Sequence, residues 1–319
     1  MSIKLFIETT KFKGGPATFR SRIIPILAKI EGIKIITDVN KKFDIELAFI
    51  RKIYKHSKPY VLRVDGCYYE KGRESGNKGM RKSILKANYS IFQSNFSFDL
   101  CDHILEIKNF LKGEKKDYSI IYNGIDFDYI KKIRPNKKIP PGSFVACAQW
   151  RPNKRPVSMI KGFLESGIKR HLYIIGGSGL GGKKINKKYK SKYIHILGEK
   201  NNKEIIAIMK ACEYQIHLCH IDSCPNTVIE GLACGLNVLC TNLGGTKEIV
   251  KNNGIILKVD KFWNGKYLRK MNLDNLKSTV VAKGIYNLLK IKNRVDRPDL
   301  NIKNTVIQYS NIIKKILEN

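Results

Sequence analysis

Short apolar runs, each bounded by turn residues or by a helical pattern, recur from one end of this sequence to the other. In the first part they read IKLFIE, IKIIT, IELAFI, YVLRV, YSIFQS and YSIIYN, and in the second SFVACAQ, HLYIIG, YIHILGE, YQIHLCH and NVLCT. Runs of this length, rich in Ile, Val and Tyr, are strands. Between them lie segments with apolar residues three and four apart, such as Ile23, Ile24 and Leu27, and the stretches PVSMIKGFLESG and KEIIAIMKAC. That spacing lines one face of a helix. Strands alternating with helices predict a parallel α/β sheet.

The alternation breaks once. Residues 132–142, KIRPNKKIPPG, hold three prolines and a glycine with no apolar period, which reads as a linker. The chain of 319 residues is comfortable for two domains of ordinary size. The expectation is an N-terminal α/β domain over 1–135 and a second α/β domain over 136–300. The tail, 301–319, is an amphipathic helix by its Ile and Leu spacing.

Composition sets limits on partners. The formal charge is +33, and its 60 Lys and Arg residues are spread along the chain. Two readings stay open. One is compositional drift, since Lys, Ile and Asn are abundant together. The other is a dedicated acidic partner, such as nucleic acid, anionic lipid or phosphates. The eight cysteines show no C-x-x-C spacing, and several lie in apolar runs. They read as small buried hydrophobes in a reducing compartment. The opening MSIKLFIETTKF is too short and interrupted for a signal peptide, and no run reaches the ~18 apolar residues of a spanning helix. A cytoplasmic protein is expected, with peripheral contact to an anionic membrane surface left possible.

Two places carry chemistry. After the first strand, Gly14-Gly15-Pro16 opens the first helix, and a helix N-terminus behind a glycine turn suits an anion. The second place is HIDSCPNTVIEGLACG, residues 220–235. Pro225 fits the start of a helix and Gly235 its end. Asp222 then lies just outside that helix and Glu230 one turn inside it. Two acceptor-only groups beside free N–H groups suit a phosphorylated sugar, with a carboxylate for hydroxyl donors and the helix end for negative charge. The plainer reading is a helix-flanking Asp222 and a solvated Glu230.

Asp222-x7-Glu230 followed by GLACGLNVLCTNLGGTKEIV resembles the E-x7-E region of the retaining glycosyltransferases of family 4, the glycosyl transferases group 1. Four other stretches agree in order: TTKFKGGPATF, YSIFQSNFS, IIYNGIDFDYI and QWRPNKRP. The resemblance runs from about residue 3 to about 255 and implies a GT-B fold, two Rossmann-like α/β domains facing across a cleft, with the last helix packing back on the first domain. It implies transfer of a hexose from a nucleotide-diphosphate-sugar donor to an acceptor hydroxyl, a glycan or a lipid- or protein-linked glycan, with retention (EC 2.4). No cofactor and no metal are expected, because cationic side chains already face the leaving diphosphate. By the same resemblance Gly14 and Gly15 let the backbone approach the diphosphate, and Arg151 and Lys154 neutralise it. Glu230 binds the donor ribose. Asp222 binds the transferred sugar, helped by N–H groups near Asn226 and Thr227, and the backbone near Leu197 and Gly198 meets the base.

Two residues depart from the family pattern. The first acid is Asp222 rather than Glu, one methylene shorter, which loosens any inference about the donor. In YVLRVDGCYY, Asp65 stands where many relatives have His; it either acts on the acceptor hydroxyl or is a turn residue before Gly66. Gly177-x-Gly179-x-x-Gly182 follows a strand but belongs to the second half of the chain, so no nicotinamide site is read there. Asp126-Phe127-Asp128 reads as helix-start chemistry. His217 and His220, three apart in a strand-like run, point to opposite faces and do not predict a metal; His220 either lines the donor site or ends the strand. The rivals are a basic polyanion-binding protein, although nucleic acid is not the expected partner for lack of interleaved aromatics, and an epimerase- or phosphorylase-like enzyme on the same scaffold.

Overall fold

The computed structural model describes residues 2–9, 15–114, 116–177, 189, 191–259 and 276–318. The chain divides into two compact units, one holding residues up to Asp126 and from Leu300 onward, the other beginning at Phe127. Each is built on a six-stranded sheet, and every strand pair is parallel.

In the first unit the strands are β1 (Ile3–Ile7), β2 (Ile33–Ile36), β3 (Ile45–Phe49), β4 (Tyr60–Val64), β5 (Tyr89–Phe92) and β6 (Tyr118–Ile120), in the order β2-β1-β3-β4-β5-β6. The helices are α1 (Gly15–Leu27), α2 (Ser75–Lys86), α3 (Asn95–Leu105) and α4 (Lys108–Gly113). One sheet face buries Leu5, Ile7, Ile45 and Leu47 against Phe19 and Ile23 of α1. The last helix of the chain covers the same face through Ile302, Val306, Tyr309 and Ile313. The Asn-Gly pair makes that return possible. A Cβ on Gly124 would lie 2.5 Å from Ile302 Cα, so only glycine lets the two backbones approach. The other face buries Leu62, Val64 and Phe92 against Ile84 and Phe98.

Glu46, on β3, is an acid in this core, with its side chain 1 % exposed. Its Oε2 lies 2.6 Å from His56 Nε2. Burial raises its carboxyl to about 7, with Lys52 opposing and Glu8 adding. A raised acid contributes stability that is full below its unfolded value, 4.5, and lost as pH rises through about 7. Glu46→Gln is therefore expected to stabilise the protein by on the order of 2 kcal/mol at pH 8 and by little at pH 4.5. Urea unfolding at both pH values checks this.

In the second unit the strands are β7 (Phe144–Cys147), β8 (Leu172–Ile175), β9 (Ile194–Gly198), β10 (Tyr214–His217), β11 (Asn237–Thr241) and β12 (Gly254–Leu257), in the order β12-β11-β10-β7-β8-β9. The helices are α5 (Phe127–Lys132), α6 (Pro156–Glu165), α7 (Asn202–Ala211), α8 (Asn226–Ala233), α9 (Thr246–Val250) and α10 (Ser278–Leu289), and the chain closes with α11 (Ile302–Glu318) in the first unit. Phe144, Ile174, Ile216 and Leu239 form the core with Phe163, Val281 and Ile285. The helix start read at Asp126–Asp128 is where α5 begins.

The proline-rich stretch is not a free tether. Asn136 N–H donates to Ala207 O at 2.9 Å, and Lys210 Nζ donates to Ile133 O at 2.5 Å and Ile130 O at 3.0 Å. Proline cannot donate, so the segment makes its fastenings through the residues between its prolines and through a lysine. All eight cysteines are free, and seven are buried. Burial pushes Cys147 and Cys240 up to about 12, as befits inert core thiols. Among the described residues no helix is long and apolar enough to cross a membrane.

Candidate active site

In an open parallel sheet the loops at the C-terminal strand ends part where the strand order reverses, and ligands bind there. In the second unit the chain winds outward from β7 through β8 to β9, then returns to place β10 on the other side of β7. The reversal lies between β7 and β10. Arg151 and Lys154 follow β7, and Asp222 follows β10. Sheet topology thus brings together residues about 70 positions apart.

The loop after β7 is fixed before it delivers its cations. Trp150 is buried; its indole N–H donates to Ile175 O and its backbone N–H to Gly177 O, both at 3.0 Å. A 3-10 turn, Pro152–Lys154, follows, and Arg155 then takes the left-handed conformation at φ 52. For a non-glycine residue this costs on the order of 1 kcal/mol, so the surroundings must hold it. Arg155 is buried, its guanidinium 3.2 Å from His220 Nδ1, and His220 N–H donates to Asn153 O at 2.8 Å. The two loops of the reversal point are clasped together. His220, in the loop three residues past β10, is half of that clasp. Arg151 is exposed and makes no side-chain bond among the described residues.

Lys154 Nζ donates to Asp222 Oδ2 at 2.6 Å. Burial alone would lower the lysine, but Asp222 and Cys219 outweigh it and the net shift is upward. For Asp222, burial is again the largest effect and raises it, but Lys154 and a Cys224 N–H reverse the sign, leaving a depressed, ionised carboxylate. His217 Nε2 lies 3.8 Å from the same oxygen. Burial first and Lys154 second lower His217 to about 4, so it is neutral near pH 7. His217, Cys219 and Asp222 together offer ligand atoms within 4.8 Å of one another. Spacing along a strand sets His217 and His220 on opposite faces; the fold brings His217 beside Cys219 and Asp222.

Gly244 and Gly245 support the Asp222 loop from below. Gly245 N–H donates to Asp222 O at 2.8 Å, and a Cβ on Gly244, at φ 93, would lie 2.8 Å from that oxygen. This explains the two glycines ahead of α9.

Pro225 caps α8, and Asn226 and Thr227 are its first two residues. Their N–H groups precede the first intrahelical bond, which Val228 makes to Pro225 O. Glu230 is 3 % exposed, so the solvated reading of it does not hold. Its Oε1 takes a bond from Asn202 Nδ2 at 3.4 Å. Asn202 opens α7, four residues after Gly198. Gly198, exposed at φ 69, and the half-buried Leu197 end β9, with Gly198 O bonded to Gly176 N–H at 2.8 Å. Asn202 and Cys219 have no local sequence signal; each is placed by a contact from another element.

In the first unit Gly15 is the exposed first residue of α1, while Gly14 lies outside the described residues, as do Gly179 and Gly182. Asp65 follows β4 as the partner of Arg63, a fully buried arginine stacked 4.1 Å from the Phe19 ring centroid. Arg63 also donates to Gln93 Oε1 at 3.0 Å and Asn123 Oδ1 at 2.6 Å. Asp65 is therefore a member of a buried polar network. Asn123 of the Asn-Gly pair belongs to it too.

Residues 130–264 match the family model described as glycosyl transferases group 1. That stretch is similar to the group 1 glycosyltransferases. As a glycosyltransferase the chain falls among the transferases of EC 2.4. An uncharacterized glycosyltransferase of Methanocaldococcus jannaschii is 24 % identical over 284 residues, which is 81 % of this chain and 73 % of that protein. Three solved structures show the GT-B fold it shares. A glycosyltransferase from Rickettsia africae is 15 % identical, covers 100 % of this chain and 99 % of its own, and has a TM-score of 0.64. Sucrose-phosphate synthase from Thermosynechococcus elongatus is 11 % identical over 99 % of both chains, with a TM-score of 0.67. HepE from Anabaena, solved with UDP, is 12 % identical over 98 % of this chain and 100 % of its own, with a TM-score of 0.63.

Proposed function

We propose that this glycosyltransferase moves a sugar from a nucleoside-diphosphate donor to an acceptor hydroxyl, with retention at the anomeric carbon and without a divalent metal. The observation that carries the reading is the Lys154–Asp222 pair at the reversal point of the second sheet, with Glu230 buried one turn into the helix that follows. The structural relative HepE, solved with UDP-glucose as well as UDP, supports a nucleotide-sugar donor.

Charge develops on the leaving diphosphate and, with opposite sign, on the sugar ring. Fixed cations aimed at the diphosphate stabilise the first without reorganising. Lys154, the exposed Arg151 and the first N–H groups of α8 supply them. Asp222, ionised and held by Lys154, accepts from sugar hydroxyls. Glu230 accepts from the ribose, its orientation set by Asn202. The reading assigns no role to a metal because the lysine ammonium already stands against the Asp222 carboxylate. A second cation beside it costs about 4 kcal/mol per unit charge at ~4 Å and an effective dielectric of ~20. The proposed acceptor is a glycan or a lipid-linked glycan, reached in the cytoplasm or at an anionic membrane surface.

The test is solvolysis of the donor in aqueous methanol with excess chelator. The expected product is a methyl glycoside of the donor's own anomeric configuration, formed at an undiminished rate. The opposite anomer would exclude retention, and loss of turnover restored by a divalent ion would exclude metal independence.

A further inference from the structure

In the first unit, β3 and β4 are parallel neighbours with Glu46 beside Tyr60 and Phe49 beside Arg63. The chain must return the full strand length between them, and residues 50–59 do so without a helix. A crossover of this kind leaves part of the sheet face uncovered. The space between it and α2 is a cavity of about 670 Å³. That is the size of a small-molecule site.

Its lining is Arg51, Lys52, Lys55, His56, Lys82 and Lys86 with five further residues, none of them acidic. At the chain's frequencies of 60 Lys and Arg and 27 Asp and Glu in 319 residues, eleven positions hold about two basic residues and one acidic. The cavity therefore exceeds what a basic composition alone supplies.

One of these cations, Lys52, is held in place. Lys52 N–H donates to Ser83 Oγ at 3.0 Å, tying the crossover to α2. Its ammonium donates to His56 O at 2.8 Å and lies 4.7 Å from the Tyr60 ring centroid, while Tyr60 Oη donates to Ser83 O at 2.6 Å. Arg51 lies across Gly79, its Nη1 3.9 Å from where a Cβ would stand. Burial, with Lys86 adding and Glu46 opposing, holds the Lys52 ammonium below its ordinary value. Glu46 underlies His56, and with its carboxyl raised to about 7 it is only partly ionised near neutral pH, so it offsets part of this charge and leaves the lining net positive.

We propose that this cavity binds a phosphate-bearing anion, a diphosphate fitting it better than a single phosphate. Clustered, oriented cations in a concave site repel one another and are relieved by one multivalent anion. The proposal stands apart from the donor reading, because none of its residues belongs to the second unit.

The experiment is calorimetric titration of pyrophosphate into the full chain and three variants. Lys82→Gln with Lys86→Gln removes two exposed lysines of the cavity, and Lys108→Gln with Lys112→Gln removes two exposed lysines of α4 as an equal-charge control. Lys154→Ala reports binding at the donor site. The cavity pair is expected to weaken pyrophosphate roughly tenfold. The control pair is expected to change it less than about twofold, and Lys154→Ala to leave this binding class in place. Equal weakening by the two pairs, or none by the cavity pair, would overturn the proposal. Flotation with phosphatidylglycerol vesicles separates the sources. Binding lost in the cavity pair and displaced by pyrophosphate marks a lipid headgroup, whereas pyrophosphate binding without flotation marks a free phosphate.

Discussion

Lys154→Ala is expected to lower kcat for the nucleotide-sugar donor by roughly 10²–10³-fold, the usual effect of removing one fixed electrostatic group from a transition state. The ammonium lies 2.6 Å from Asp222 Oδ2, so its loss also leaves that carboxylate without its closest cation. Two effects follow and can be separated. If Lys154 only neutralised Asp222, the double variant with Asp222→Asn would be no slower than Asp222→Asn alone. If it stabilises the diphosphate, the double variant is slower still and Lys154→Arg recovers part of the rate, because charge returns with a different reach. Steady-state kcat and KM for the wild-type protein and the four variants decide between them, with thermal unfolding alongside to show that each is folded.

Glu230→Ala is expected to reduce kcat/KM for the donor by about 100-fold, mostly through KM. A ribose contact is made equally in the ground state and the transition state, so its loss appears as weaker binding. Glu230 is 3 % exposed and carries the bond from Asn202. Truncation strands that amide as well as removing the acceptor. Glu230→Gln keeps the shape and some hydrogen bonding, and should fall between. Asn202→Ala, which leaves the carboxylate but frees its orientation, should raise KM by a smaller factor, about fivefold. Calorimetry with the nucleoside diphosphate alone gives the same order if the contact is to the ribose.

Much of the fold is legible in the sequence for a simple reason. Strands buried on both faces, such as FVAC and LYII, are uninterrupted apolar runs, and the helices between them keep a different period. Pro225 and Gly235 mark the ends of α8 because the backbone demands them there. That fixes Asp222 outside the helix and Glu230 inside it. Partners across elements are a different matter. Nothing near Lys154 announces Asp222, 68 residues on, and nothing near Glu230 announces Asn202, 28 residues earlier. Sheet order makes those pairs, and local patterns do not encode sheet order. The same limit hides Arg63, an arginine in the middle of the strand YVLRV whose partners Gln93 and Asn123 lie on later segments. The basic cavity was hidden for the opposite reason. RKIYKHSKP has no apolar period, so it reads as surface, whereas in the fold it roofs a cavity lined by cations.

The most direct measurement is release of nucleoside diphosphate from UDP-, GDP-, ADP- and dTDP-sugars at moderate salt, beside Glu230→Ala. Moderate salt keeps a chain of charge +33 from gathering anions indiscriminately. The account predicts slow hydrolysis of one donor by the wild-type protein and its loss in the variant. Turnover of none of the donors, together with tight and salt-sensitive binding of RNA or DNA, would contradict it and establish a polyanion-binding protein on a glycosyltransferase scaffold.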